Sequence, residues 1–303
     1  MSVFAPIGRH VGEGTIRGRA RGGDSSASSI LFLGVLWLSL FLAFAFLVTL
    51  IVTTVIEGSP RLNALLLTEF PASRPEEAGA RPAILGSMMV IGFTALLTLP
   101  LGIAAGVHLE EFSDRNHWWN RIVELNVQNL AAVPSIVYGL LTLGALSAIG
   151  VKDKNIVIAG ATALSLLILP VIIIVTREAL RGVPIEIRQG SLALGATSLQ
   201  TLFRQTLPSA VPGIATGSIL ALSRALGEAA PLLILGALVF VSFDPNGLLS
   251  GYTTLPIQIF NWTGRPQEEF HVLAAAASIL LLILLLAMNA IAIVIRNRYQ
   301  KRW

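Results

Sequence analysis

No cysteine occurs among the 303 residues, which excludes disulfides, thiolate metal sites and a cysteine nucleophile. Charge is also scarce: Asp, Glu, Lys and Arg make up 13% of the chain, where an ordinary soluble domain carries about 25%. Lysine is nearly missing. Lys152, Lys154 and Lys301 follow Val, Asp and Gln, so no GxxxxGK[ST] loop can be assembled and the chain has no P-loop to cradle a nucleotide. His108 and His117 lie close in sequence to Glu110, Glu111 and Asp114, but neither HExxH nor another helical ligand spacing is present. No metal and no catalytic constellation is expected of this chain.

What the chain has in abundance is apolar sequence. Hydrophobic residues form 54% of it and the mean hydropathy is +0.76. Six runs are long enough to cross a hydrocarbon core of about 30 Å at about 20 residues per helix. They are Ile30 to Ile56, Ala83 to Val107, Leu125 to Ile149, Ile156 to Thr176, Ala210 to Val239 and Val272 to Ile295. The expected fold class is therefore an all-α polytopic membrane protein with six transmembrane helices. Of the six runs, only the fifth contains charges.

An even number of spans puts both termini on one side. Fourteen of the 21 Lys and Arg fall in the two tails, the link between the second and third spans, and the stretch from Arg177 to Leu207. The positive-inside rule makes that side cytoplasmic, in a multi-pass protein of the cell membrane. The same distribution accounts for the net charge of +4, which is spread over short juxtamembrane segments and forms no patch for nucleic acid. The organisation that follows is a disordered basic tail over 1–29, a first span over 30–56, an external loop over 57–82, a membrane core over 83–295 and a basic cytoplasmic tail over 296–303.

Within the core, Gly86, Gly92, Gly102 and Gly106 suit close helix approach, and Pro100 and Pro170 predict kinks. Trp118 and Trp119 read as anchors at the cytoplasmic headgroups, and Tyr252 and Trp262, in the external stretch 242–270 with Pro256, as aromatic-belt residues outside. Asn126, Gln128 and Asn129 read as polar contacts between helices.

The stretch 177–208 carries the densest local signals. Arg177 and Arg181 complement the dipole of an ending helix, with Gly182 after them. Pro184 opens a new short helix that Gly195 stops. Thr197 and Gln200 have the spacing of a capping box, which predicts a second short helix to about Gln205, ended by Pro208. Two short helices hinged at a glycine form a knob, with Leu192, Leu194, Leu199, Leu202 and Phe203 as anchors for a protein groove or, alternatively, for lipid.

Arg224 and Glu228, spaced i and i+4, are expected on one helix face inside the fifth span. A membrane-embedded arginine is costly facing lipid, so the pair should face the bundle or a watery cavity. Two readings stay open: a neutralised pair that orients helices, or a guanidinium that helps an oxyanion across while Glu228 moderates its hold.

The frame Gln189-Gly190-Ser191, Gly195, Gln205, Leu207-Pro208 resembles the cytoplasmic coupling loop of ABC importer permeases in spacing, although that family has Glu-Ala-Ala and Ile where this chain has Gln-Gly-Ser and Gln. LPLGIAAGVHLEEF, AAVPSIVYGLL, ATGSILALSRALGEAAPLL and TTLPIQIFNW are similar, in order, to segments of the phosphate-specific permeases within that family. The resemblance runs from about Ile84 to the C-terminus and implies a type I ABC importer permease fold and a non-catalytic subunit. It further implies inorganic phosphate as substrate, with Arg224 and Glu228 on the translocation pathway. Gln189, Gly190, Ser191, Gly195, Leu207 and Pro208 would then contact an ATPase. The implied partners are a related permease subunit, two ATPase subunits that bind ATP and magnesium, and an extracytoplasmic phosphate-binding protein. Alternatives are a permease for sulfate or molybdate, a secondary transporter acting alone, and a membrane scaffold.

Overall fold

The computed structural model describes residues 27–113, 117–237 and 240–299. Nearly all of the expected N-terminal tail, Asp114, Val239 and the last residues of the C-tail lie outside them. The chain divides into two compact units, Met1–Ile51 and Val52–Trp303.

The first unit holds most of α1 (Ala27–Gly58). Its 32 residues would extend about 48 Å at 1.5 Å each, ample for a bilayer. No charged residue interrupts it before Glu57.

The second unit is built on α3 (Arg81–Val107) and α6 (Val157–Arg181), which pack along most of their lengths. Small residues permit this. A β-carbon on Gly102 would come within 2.7 Å of Ile172 Cγ2, and one on Gly106 within 2.7 Å of Thr176 Cβ, so the close approach read from the glycines is real. α9 (Leu207–Leu226) lies against α6, and α12 (Glu268–Tyr299) against α9. Among the described residues there are no named strands; Ile156 and Gly251 form an isolated bridge.

Two of the six expected spans are not continuous helices. The run from Leu125 to Ile149 is split between α4 (Trp118–Ala131) and α5 (Ser135–Ala148), which meet at 108°. Pro134 is the cause: it lacks an N–H, disfavours helix at Val133, and sits at φ −56° and ψ 136°. Asn126, Gln128 and Asn129 belong to α4, which is polar enough to lie along an interface, with Trp118 and Trp119 exposed. α5 alone, at 14 residues, would extend about 21 Å, short of a full crossing. Among the described residues five helices are long and apolar enough to span, or six if the bent pair counts as one.

The expected fifth span, Ala210 to Val239, breaks at Gly227. α9 ends at Leu226, and α10 (Ala230–Ile234) follows with Pro231 in its first turn. Gly227 itself is exposed, but the two residues before it are buried. Ala225 and Leu226 belong to the same buried cluster as Val90 of α3 and Leu164 and Leu167 of α6, well inside those helices. α5 and α10 pack on each other near it, with Gly139 closely against Pro231.

At the other end, α2 (Ala64–Thr68) and α11 (Leu255–Thr263) close a second core with α12. Tyr252 and Trp262, expected in an aromatic belt, are fully buried, as is Pro256. Trp262 is packed among Leu66, Phe270 and Leu273. Their role is core packing.

Candidate functional site

Two places in the second unit gather the residues that the sequence singled out. The first is the knob. α6 ends at Arg181 and is capped by Gly182, whose φ of −69° is helical, not left-handed. Pro184 is extended and caps α7 (Ile185–Ala193). At its far end the Gly195 N–H donates to Leu192 O at 2.9 Å and the Ala196 N–H to Ser191 O at 3.2 Å. These are the paired bonds of a Schellman motif, with Gly195 at φ +86°, a conformation that disfavours any side chain.

Thr197 then caps α8 (Ser198–Thr201) with the reciprocal bonds of a capping box, Gln200 N to Thr197 Oγ1 at 3.2 Å and Thr197 N to Gln200 Oε1 at 3.0 Å. Beyond Thr201 a single wide turn, Leu202–Thr206, runs directly into α9. Pro208 thus lies in the first turn of a long helix, where a proline needs no N–H partner, and opens it instead of ending the second short helix.

Gln189, Gly190, Gly195 and Pro208 are exposed, and Ser191 and Leu207 half-buried. Ser191 Oγ meets Thr201 Oγ1 at 2.9 Å and ties α7 to α8. Leu192, Leu194, Leu199 and Phe203 all present apolar surface, Leu194 at 91% exposure. Leu202 is buried and serves as an internal strut, not an anchor. A shallow depression between the two short helices is lined by Glu186, Gly190, Ser191, Leu194, Gln200 and Arg204.

The second place is the break after α9. Glu228 lies outside the helix, two residues past its end, so the pair does not share a helix face as the spacing suggested. The turn at Gly227 still brings Glu228 Oε1 within 3.7 Å of Arg224 Nε. That is a loose contact. The Arg224 side chain is 60% exposed and that of Glu228 20%, leaving most of the guanidinium's donors open to an oxyanion. Beside it, Ser223 Oγ donates to Asn289 Oδ1 of α12 at 3.1 Å. Asn289 was not singled out in the sequence, yet a lone amide in the apolar run Val272 to Ile295 is the signal that could have found it.

A third charged group also escaped the sequence reading. The wide turn His108–Phe112 after α3 buries Glu110, whose side chain is 1% exposed. Arg177 Nε stands 3.3 Å from it and Arg181 Nε 3.0 Å, and the same two arginines reach Glu124 of α4 at 3.0 and 3.8 Å. Next to Glu110, Glu111 pairs with Arg188 of α7 at 2.8 Å. The signal was two acidic residues ending one span and two arginines at i and i+4 ending another on the same expected face. The stretch 109–121, whose spacing fits no metal site, supplies Glu110 and Glu111 to an ion-pair cluster that Glu124 completes. Among the described residues no group of His, Asp and Glu is arranged to hold a metal.

The comparisons with known proteins agree with this architecture. Residues 98–303 match the family model described as "Binding-protein-dependent transport system inner membrane component". The chain is 34% identical to a probable ABC transporter permease protein, YqgI, of Bacillus subtilis, over 75% of this chain and 76% of that one. It is 32% identical to the phosphate transport system permease protein PstA of Pasteurella multocida, over 86% and 92%. Among solved structures, a chain of a bacterial alginate ABC transporter in complex with its periplasmic protein superposes with a TM-score of 0.65. At 17% identity, covering 91% of this chain and 96% of that one, this establishes the fold as that of a type I ABC importer permease. With a family model over more than half its length and relatives above 30% identity over most of both chains, the protein belongs to the binding-protein-dependent transport system inner membrane components, the permeases of ABC importers.

Proposed function

We propose that this chain is a permease subunit of an ATP-driven importer of inorganic phosphate. Arg224 and Glu228 would lie on the translocation pathway, and Gln189, Gly190, Ser191, Gly195, Leu207 and Pro208 would lie at the contact with an ATPase. The observation that carries the substrate reading is the loosely held guanidinium. Arg224 stands at a helix break among the central helices, 60% exposed and 3.7 Å from one carboxylate. Guanidinium donors match the geometry of phosphate oxygens, and a nearby carboxylate keeps the hold weak enough for release. The PstA relatives, named for phosphate transport, favour phosphate over sulfate or molybdate.

ATP and magnesium would be bound by two partner ATPase subunits, since no GxxxxGK[ST] occurs here. A related permease would complete the pathway, and an extracytoplasmic phosphate-binding protein would deliver the anion. The excess of Lys and Arg on one side supports cytoplasmic termini. The knob, with Leu194 and Phe203 exposed beside its two capped helices, fits a protein groove better than a bilayer surface, because Glu186, Gln189 and Arg204 interrupt its apolar face.

The test is phosphate uptake by the assembled complex in vesicles with Arg224→Gln. Uptake is expected to fall at least tenfold, about 1.4 kcal/mol or more, with assembly unchanged. Undiminished uptake, or equal uptake driven by an ion gradient without ATP, removes this reading.

A further inference from the structure

We propose that Arg188 is a positioning residue for transport: through Glu111 and the ion-pair cluster around Glu110, it carries motion of the coupling helices to α4 and α5. This rests on the importer reading above. The covalent links between the knob and the helices on either side of it are short segments, 182–184 on one side and the wide turn 202–206 on the other. Arg188 adds a lateral link. Its Nη2 donates to Leu180 O at 2.8 Å, holding the last turn of α6, and the same guanidinium stands 2.8 Å from Glu111 Oε1. α7 is thereby fastened to α6 and to the turn after α3 at once.

What lies behind Glu111 makes that link consequential. Glu110, its neighbour, is locked by Arg177 and Arg181, with side-chain exposures of 1% for the carboxylate and 8% for Arg177. Charges so buried do not separate cheaply, because each would be left without a partner away from water. A displacement of α7 that keeps Arg188 engaged must therefore move the 108–112 turn, and with it the arginines. That turn is wound wider than an α-helix, the kind of segment that can shift without unravelling the shaft of α3.

On the other side of the cluster, Arg177 and Arg181 hold Glu124, in the middle of α4. α4 continues through the Pro134 bend into α5, whose Gly139 rests on Pro231, three residues past Glu228. The path thus starts at the knob as ion pairs, reaches α4 at Glu124, and continues through α5 to Pro231, seven residues along the chain from Arg224. α4 with α5 is the element best built to respond, since a helix broken at 108° can pivot where a continuous span cannot. A contiguous set of contacts acts as a coupling path only if cutting one link changes the coupling itself.

The experiment uses the complete importer in proteoliposomes, with phosphate uptake and ATP hydrolysis measured on the same vesicles. Arg188→Gln is expected to assemble normally and to raise the ATP hydrolysed per phosphate imported by about tenfold. Glu111→Gln should do the same, and the double variant should be no worse than either single one, because both cut one link. Glu124→Gln, on the 36% exposed far side of the cluster, gives a second reading should Arg188→Gln assemble poorly, and should also raise the ratio. An unchanged ratio in all of these, or uptake and hydrolysis falling together, overturns the proposal. If wild-type vesicles import no phosphate, the substrate reading fails by itself. Stimulation of ATP hydrolysis by the binding protein then reads the link, and stimulation unaltered in Arg188→Gln overturns it.

Discussion

The chain holds arginines in two contrasting ways. Arg177 is 8% exposed and meets two carboxylates, Glu110 at 3.3 Å and Glu124 at 3.0 Å, whereas Arg224 is 60% exposed and has one carboxylate at 3.7 Å. The first arrangement buries the guanidinium between two carboxylates and away from solvent. The second leaves it hungry for an anion. Both arginines sit in the last turn or so of a helix, where the dipole favours a cation. The difference lies in what faces them: a buried acidic turn in one case and a helix break in the other. Fixed charge builds structure, whereas the underpaired charge of Arg224 is what the proposed pathway role rests on.

Removing the acidic centre breaks the comparison hardest. Glu110→Ala leaves Arg177 buried with one partner fewer, and breaking a buried pair costs about 3–5 kcal/mol. The thermal unfolding midpoint of the purified protein in detergent is expected to fall by roughly 10 °C. Arg224→Gln, by contrast, should leave that midpoint within about 2 °C while abolishing most uptake. If the two variants destabilise alike, the distinction between a structural and a free guanidinium is wrong.

Gly195 offers a smaller, sharper break at the knob. Its φ of +86° suits glycine, and a β-carbon there would meet nothing within 4 Å, so Gly195→Ala strains the backbone without a clash. The left-handed conformation costs an alanine about 1–2 kcal/mol. If the knob's shape is what the ATPase reads, ATPase subunits should bind about tenfold more weakly, as measured by titration of the purified permease, with the membrane helices unaffected. Unchanged binding would mean that the turn can be remade in another conformation or that the knob docks elsewhere.

How much of this was legible beforehand follows from the range of each signal. Helix ends governed by local chemistry could be read directly: Gly195 at a helix stop and Thr197 with Gln200 as a capping box need only neighbours a few residues away. The broken spans were harder, because hydropathy counts apolar residues and is blind to direction. The run Leu125 to Ile149 counted as one span, yet Pro134 separates two helices at 108° within it. Gly227 was passed over, since a lone glycine in an apolar run is common in membrane helices. The ion pairs of Glu110 with Arg177 and Arg181 join residues about 70 positions apart, and only the packing of α3 on α6 brings them together. The burial of Tyr252 and Trp262 was hidden for the same reason, as an aromatic near a span end looks alike in a belt and in a core.

The weakest effect tests whether the surroundings of Arg224 are tuned as well as the guanidinium itself. Ser223 Oγ and Asn289 Oδ1 share a hydrogen bond of 3.1 Å between α9 and α12, one residue from Arg224. Interhelical bonds of this kind contribute about 0.6 kcal/mol within membranes, since separated helices find other partners. Asn289→Leu should therefore change the unfolding midpoint by no more than about 2 °C. If the bond fixes the rotation of α9, and with it the direction of Arg224, the KM for uptake should rise about threefold with kcat nearly unchanged, because capture weakens before the rate of the cycle does. A variant indistinguishable from wild type in both measurements would limit the role of Asn289 to joining two helices, and would confine the tuning of the guanidinium to Glu228.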